Sequence, residues 1–175
     1  MRPLQWIGAP TGGLINIAMP NQRRLTWEEM REYWKIHSSR WSGLDYDKDP
    51  DGLNNVCLTG EPSWVHQYHA RMQQRVYKNL LGLIPKPRLG TKALDIGCGA
   101  GRWCRLLAQK GYQVVGIDLQ PDLIEENRRR NRSVEFLCLP IQDYETPEPL
   151  DLVSSVTVIQ HNPFNHQHII IRKLR

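Results

Sequence analysis

Three glycines at alternate positions follow an acidic residue in the middle of the chain, within the segment LDIGCGAG at residues 94–101. They are Gly97, Gly99 and Gly101. An apolar run ends on Asp95 before the turn, and residues 102–110 after it have a helical pattern. Because glycine has no side chain, such a turn lets a ligand approach the backbone closely. The segment therefore predicts a strand, a tight turn and a helix around a ligand site.

The spacing separates this turn from two other glycine-rich ligand loops. A nicotinamide dinucleotide fingerprint needs a glycine at the position of Arg102. A phosphate-binding P-loop needs Gly-Lys followed by Ser or Thr at its end, which the segment lacks. The turn fits a ligand that has a nucleoside but no pyrophosphate.

A second acid stands at the end of the next predicted strand. Residues 112–117 (YQVVGI) predict a buried strand, and Asp118 follows it. In open parallel sheets, ligands bind outside the carboxyl ends of the strands, where an acid can accept hydrogen bonds from both hydroxyls of a ribose. The alternative is that Asp118 only caps the helix that begins near Pro121. Its occurrence together with the glycine turn favours the ligand.

The turn and the second acid resemble motif I and the following strand of the class I, S-adenosylmethionine-dependent methyltransferases, whose motif reads Asp/Glu-x-Gly-x-Gly-x-Gly. The resemblance implies a doubly wound, mostly parallel Rossmann-like α/β sheet and S-adenosyl-L-methionine as cofactor. It implies that Asp95 engages the methionine ammonium, often through water, and that Asp118 holds the ribose diol. The residues it places at the cofactor are Asp95, Gly97, Cys98, Gly99, Gly101, Asp118, Leu119, Ile141 and Gln142.

Residues 134–139 and 150–159 predict a third and a fourth strand and extend the resemblance to the end of the chain. In the family, the loop after the third strand commonly offers an Asp to the adenine amino group, but Pro140 stands here. Gln142, Asp143 or backbone groups near Ile141 are the candidates to replace that contact.

The segment VTVIQHNP at residues 156–163 resembles the Val-Leu-x-His segment of many small-molecule methyltransferases. The resemblance places Gln160 and His161 beside the sulfonium. His161 is the candidate catalytic residue, as a general base or an anchor for the acceptor, and a structural histidine is the alternative.

The resemblance implies methyl transfer to a small-molecule acceptor. Because the sulfonium already carries a good leaving group, such an enzyme mainly aligns the acceptor with the methyl group. A base is needed only if the acceptor must lose a proton. Two alternatives stay open: a nucleic-acid or protein methyltransferase, and a non-catalytic cofactor-binding or interaction module.

Four strands are predicted where the family has seven, so we expect an incomplete fold that is truncated at the C-terminus. A truncated reading frame, a fragment and half of a split protein are the candidate explanations. The fourth strand would then be an unpaired apolar edge, which predicts self-association. The alternative is a shortened fold in which His168 to Leu174 adds a strand, although residues from Phe164 onward look like the start of a helix.

We expect two regions: an N-terminal arm with a helical cap at residues 1–90, and the cofactor-binding domain at residues 91–175. The many prolines and glycines of residues 1–24 predict an irregular arm. Thr26 and Glu29 form a capping box, with Leu25 and Met30 as a hydrophobic staple. The buried face of this first helix is Met30, Tyr33, Trp34 and His37.

A second helix is predicted from about Ser63 to Leu83. Its apolar stripe is Val65, Tyr68, Met72, Val76 and Leu80. In relatives such helices cover the cofactor and shape the acceptor pocket, whereas the alternative is that their aromatic residues are simply core.

Composition predicts a cytoplasmic protein with no membrane segment and no signal peptide. The four cysteines show no Cys-x-x-Cys pairing. Cys98 in the turn and Cys138 in a buried strand suit free thiols. No metal is expected: the acidic turn from Asp47 to Gly52 begins like a calcium loop, but Leu58 stands where that loop needs an acid.

The net charge of +5 comes largely from an arginine run at residues 128–132 and from the chain end. Acids precede these arginines in the same predicted helix, which is the order that the helix dipole favours. A solvated helix terminus is therefore favoured over nucleic-acid binding.

Overall fold

The computed structural model describes residues 26–36, 48–49, 51–52, 62–146 and 148–173. Several predictions therefore concern residues outside the described part: the irregular arm at 1–24, the staple residue Leu25, the helix residue His37, and the two ends of the acidic turn, Asp47 and Leu58.

Five helices and four strands make up the described part. The helices are α1 (Trp27–Ile36), α2 (Ser63–Leu81), α3 (Arg102–Gln109), α4 (Pro121–Arg130) and α5 (Phe164–Lys173). The strands are β1 (Lys92–Ile96), β2 (Gln113–Asp118), β3 (Glu135–Cys138) and β4 (Leu152–Ser154). Short 3-10 turns cover Ile141–Asp143 and Ile159–His161.

The four strands form one parallel sheet in the order β3-β2-β1-β4. Ala93 of β1 pairs with Val114 of β2 on one side and with Leu152 of β4 on the other. The chain moves outward from β1 through β2 to β3 and then returns to the opposite side of β1. This reversal creates the crevice between β1 and β4 in which doubly wound sheets bind ligands. The predicted Rossmann-like α/β fold is confirmed.

Apolar residues line both faces of the sheet, because helices cover both. Alternate residues of β1 enter different cores, so that Ala93 packs with one and Leu94 with the other. The first core includes Leu107 of α3 and Ile124 of α4. The second includes Ile170 of α5.

The capping box at the start of α1 is present as predicted. The Thr26 amide donates to Glu29 Oε2 at 2.9 Å, and the Glu29 amide donates to Thr26 Oγ1 at 3.2 Å. Both unsatisfied donors are thereby paired, which fixes where the helix begins.

The predicted apolar stripe of α2 is wrong in its orientation. Tyr68 and Leu80 are 63% and 57% exposed, and Met72 and Val76 are exposed as well. The face turned toward the sheet has Tyr77, whose hydroxyl donates to Ser154 Oγ of β4 at 2.8 Å. A hydrogen-bonded aromatic ring packed on the sheet determines the orientation more strongly than the apolar spacing does.

The structure corrects three further expectations. Phe164–Lys173 forms a helix, so the alternative in which this segment adds a strand is wrong. β4 is only three residues long, and Val156 and Val158 lie in the loop that follows it. Cys138, expected in a buried strand, is exposed.

The arginine run at the end of α4 makes contacts within the domain. Arg129 and Arg130 approach Glu126 at 2.7 and 3.7 Å, and Arg128 Nε donates to the carbonyl of Phe136 at 2.8 Å. Within the described ranges, no helix is both long and apolar enough to cross a membrane.

Candidate functional site

A cavity of about 440 Å³ opens at the carboxyl ends of the strands. One wall is the glycine turn between β1 and α3, a second is the end of β2, and a third is the 3-10 turn after β3. The loop after β4 and helix α1 complete it. The cavity thus joins residues that are up to 143 positions apart in sequence, from Trp27 to Ile170.

The glycine turn is tied to the end of β2 by its backbone. The amides of Gly97 and Cys98 donate to the carbonyl of Ile117 at 2.8 and 3.0 Å. The amide of Gly99 donates to Asp118 Oδ2 at 2.9 Å, and that of Gln120 donates to Asp118 Oδ1 at 3.0 Å. Burial raises the pKa of Asp118, and these backbone donors act in the opposite direction. The predicted pair of landmarks, turn and acid, therefore lies together at the cavity.

Gly99 leaves open space in front of it. A Cβ built there would have no neighbouring atom within 4 Å, and its φ of +51° is in the left-handed region. Gly97 differs, because a Cβ there would lie 2.4 Å from Val158 Cγ2. The first glycine lets the loop after β4 pack against the turn, and the second leaves room for a ligand.

Asp95 does not line the cavity. Its carboxylate is 1% exposed, and the thiol of Cys104 donates to Asp95 Oδ2 at 3.3 Å. Its register partner on the neighbouring strand β4 is Ser154, and the Oγ of Ser154 accepts a hydrogen bond from the Tyr77 hydroxyl. Burial raises the pKa of Asp95 to about 7. The contact of Asp95 with a ligand ammonium, expected often through water, stays a prediction.

The side of the cavity next to Asp118 is apolar. It is formed by Leu119, Leu123, Leu139, Pro140 and Ile141. Leu119 and Ile141, which are predicted to contact the cofactor, both line the cavity. Gln142 was predicted as well but does not line the cavity, and both polar atoms of its amide are buried without a hydrogen-bond partner.

Helix α1 contributes aromatic residues to the cavity. Trp27 and Trp34 of α1 line it, and the ring of His161 meets that of Trp34 edge-on at 5.8 Å. His161 is exposed at the rim, and partial burial of its ring lowers the pKa of the imidazole. Thr157 beside it has a φ of 60°, a strained conformation for a β-branched residue.

Arg102 and Gln120 also line the cavity, and sequence reasoning missed both. Arg102 Nη2 donates to Gln73 Oε1 of α2 at 2.6 Å, and its guanidinium lies 4.1 Å from the centre of the Trp103 ring. Gln120 Nε2 donates to the carbonyl of Trp34 at 2.6 Å. The local sequence pattern does not predict these long-range contacts. For the wall formed by α1, the aromatic spacing of that helix was the only signal in the sequence.

Comparison with known proteins agrees with this architecture. Residues 93–175 match the family model described as methyltransferase domain. The chain is 33% identical over 137 residues to a ubiquinone biosynthesis O-methyltransferase of Bradyrhizobium sp. (strain ORS 278), covering 76% of this chain and 51% of that protein. The chain thus spans about half the length of that curated relative.

Two solved structures share the fold. The magnesium protoporphyrin IX methyltransferase of Synechocystis PCC 6803, with bound S-adenosylmethionine, superposes with a TM-score of 0.59 at 19% identity, over 80% of this chain and 69% of that one. Phosphoethanolamine N-methyltransferase 1 of Haemonchus contortus, in complex with S-adenosylhomocysteine, gives a TM-score of 0.60 at 20% identity, over 84% of this chain and 29% of that one.

The parallel sheet, its switch point and the glycine turn beside Asp118 define a Rossmann-like fold. Within that class, residues 93–175 match the methyltransferase domain model, and the chain is similar to curated O-methyltransferases over part of their length.

Proposed function

We propose that this protein transfers a methyl group from S-adenosylmethionine to a small-molecule acceptor. The observation that carries the proposal is the pairing of Gly99 N with Asp118 Oδ2 at 2.9 Å, beside open space in front of Gly99. A half-buried carboxylate at a strand end, next to a backbone without side chains, suits a ribose without a pyrophosphate.

The chain's own residues bind and orient both reactants. The Asp118 carboxylate would accept the ribose hydroxyls, and Leu119 and Ile141 would pack against the adenine. The turn at Gly97, Cys98, Gly99 and Gly101 would bring the backbone close to the methionine and the ribose. Bound S-adenosylmethionine would supply an activated methyl group on a sulfonium.

The acceptor would enter between α1 and the loop after β4. The rings of Trp34 and His161 bound this side of the cavity. The lowered pKa of His161 keeps its imidazole neutral near pH 7, as a general base must be. His161 is our candidate for the base or for an anchor of the acceptor.

The names of two similar proteins support an acceptor of low molecular weight. One is named for ubiquinone biosynthesis and the other for magnesium protoporphyrin IX. The engaged arginines of α4 offer no comparable support for a nucleic-acid substrate. We further propose that residues 1–90 act as the cap over residues 91–175, because Trp27 and Trp34 line the cavity. A cytoplasmic location completes the proposal, since Cys98 and Cys104 are free thiols.

Calorimetric titration of the chain with S-adenosylhomocysteine tests the proposal. We expect saturable binding at one site, and no binding of NAD or ATP, because the turn lacks the features that hold a pyrophosphate. A folded chain that binds none of the three, or that prefers a pyrophosphate nucleotide, would contradict the proposal.

A further inference from the structure

Gln120 occupies an unusual place for a residue that precedes a helix. It is the N-cap of α4, yet its side chain makes no capping hydrogen bond. The residue is 4% exposed and lines the cavity. Its amide Nε2 instead donates to the backbone carbonyl of Trp34 in α1, at 2.6 Å.

The other end of the same amide has no partner. Gln120 Oε1 is buried and accepts no hydrogen bond. Buried amide oxygens are nearly always paired, because removing one from water without replacing the lost bond is costly. A side chain that lines a cavity and keeps a buried, unpaired acceptor indicates a donor on the ligand.

We infer that Gln120 is a positioning residue that couples binding of the nucleoside to the docking of α1. In this inference, which rests on the proposed function, Oε1 accepts a hydrogen bond from the nucleoside half of S-adenosylmethionine while Nε2 holds the carbonyl of Trp34. One side chain thus joins the cofactor to the helix that forms the acceptor wall.

The position of the backbone favours the nucleoside over the amino-acid end of the cofactor. The amide of Gln120 donates to Asp118 Oδ1 at 3.0 Å, so the residue starts beside the carboxylate proposed to hold the ribose. The nucleoside offers hydroxyl and amine donors there. The competing donor is the ammonium of the amino-acid end, which the experiment below separates.

The coupling has a consequence for the acceptor. Trp34 meets His161 edge-on, and Trp27 at the other end of α1 stacks on His166 of α5 with ring centres 4.5 Å apart. Gln120 thus holds the Trp34 end of the helix. Filling the nucleoside site should therefore fix the wall against which the acceptor binds, so that the cofactor binds first.

The test begins with Gln120→Met, which keeps the length of the side chain and removes both hydrogen bonds. Titrations use S-adenosylhomocysteine and 5′-methylthioadenosine, which share the nucleoside but not the amino-acid end. We expect both dissociation constants to rise by about three- to tenfold, the scale of one neutral hydrogen bond. The matched control is Gln167→Met, because Gln167 Nε2 also donates to a backbone carbonyl, that of Asn162 at 2.9 Å, and does not line the cavity.

The slowing of α1 amide hydrogen exchange by ligand separates the inference from a purely structural role, which would leave that slowing unchanged. In the unaltered chain, S-adenosylhomocysteine should slow exchange across α1. In Gln120→Met this ligand-dependent slowing should be lost. If Gln120 only holds α1 in place, the substitution speeds exchange both with and without ligand. The ligand would then still slow exchange in the variant, and this result would overturn the inference.

A second variant guards against a simple loss of folding. Gln120→Ser places a favoured N-cap residue on α4 but is too short to reach Trp34. We expect a stable protein with the same loss of affinity for both ligands, whereas recovered affinity overturns the inference. Weaker binding of S-adenosylhomocysteine alone would assign Oε1 to the ammonium and overturn the nucleoside contact. If the unaltered chain binds neither ligand, the proposed function fails as well.

Discussion

The Asp118 carboxylate accepts hydrogen bonds from two backbone amides, and the residue also lines the cavity. We expect Asp118→Ala to weaken binding of S-adenosylhomocysteine by ~1–3 kcal/mol, the scale of hydrogen bonds to a charged group. Calorimetry measures the loss. Asp122→Ala, on the exposed first turn of α4, is the control and should bind normally. A folded Asp118→Ala protein with an unchanged dissociation constant would remove the ribose contact from the proposal.

Gly99 tests whether the open space in front of the turn belongs to a ligand. Gly99→Val should abolish binding of S-adenosylhomocysteine, because a branched side chain would enter the cavity and rarely adopts a φ of +51°. Gly90→Val is the matched control: its φ is +87° and no atom lies within 4 Å of a Cβ there. Since Gly90 does not line the cavity, its variant reports backbone strain alone. Equal binding by the two variants would mean that the turn is only structural.

Asp95 makes stability depend on pH. Its pKa in the folded protein, about 7, lies above the ordinary value of 3.8, so the folded state holds a proton more tightly than the unfolded state. The resulting stability is fully present below about pH 4 and is lost as the pH rises through about 7. Asp95→Asn has no proton to lose, so its free energy of unfolding should fall less between about pH 5 and about pH 8. Urea denaturation at each pH measures this, and an Asp122→Asn control that flattens the curve equally would rule out Asp95 as the cause.

At the residue scale, sequence reasoning found the groups that a local pattern can mark. The alternate glycines and Asp118 follow strand ends, so their place at the carboxyl edge of the sheet is nearly fixed by the order of elements. The roles of Gln120 and Arg102 were not predicted, because their partners, Trp34 and Gln73, lie 86 and 29 positions away in the chain. No pattern within one helix contains that information.

Among the elements, α2 is joined to the sheet by the hydrogen-bonded side chain of Tyr77. Tyr77 donates to Ser154 Oγ at 2.8 Å, and its ring lies 4.5 Å from that of Trp103. Tyr77→Phe keeps the ring and removes the bond, so we expect a loss of ~0.5–1.5 kcal/mol in the free energy of unfolding. Urea denaturation measures it, with Tyr68→Phe on the exposed face of the same helix as control. If both variants lose the same amount, the Ser154 contact does not stabilise the fold.

The elements that sequence reasoning placed correctly share a strong local signal. The capping box fixes the start of α1, and the buried apolar runs fix β1 and β2. The orientation of α2 was predicted wrongly because its apolar spacing points away from the sheet, while Tyr77 faces it. β4 was predicted too long because Val156 and Val158 are apolar for another reason: they line the cavity from a loop.

At the scale of the whole molecule, the cavity draws on both ends of the described chain, from Trp27 to Ile170. A ligand that binds only the folded state should therefore stabilise the entire domain. We expect S-adenosylhomocysteine at one hundred times its dissociation constant to raise the free energy of unfolding by about 2.7 kcal/mol. Thermal unfolding followed by circular dichroism measures the shift. Gly99→Val at the same ligand concentration should show none, and a shift there would place the ligand elsewhere.

The contact between Gly97 and Val158 has a consequence for how the protein is made. A Cβ at Gly97 would lie 2.4 Å from Val158, so the turn closes against a residue that leaves the ribosome 61 positions later. Contacts of such long sequence separation form late in folding. A nascent chain ending before β4 would hold the complete glycine motif without the wall that shapes it. Affinity for S-adenosylhomocysteine should consequently appear abruptly during synthesis, once the loop after β4 has emerged, and not when the motif itself does.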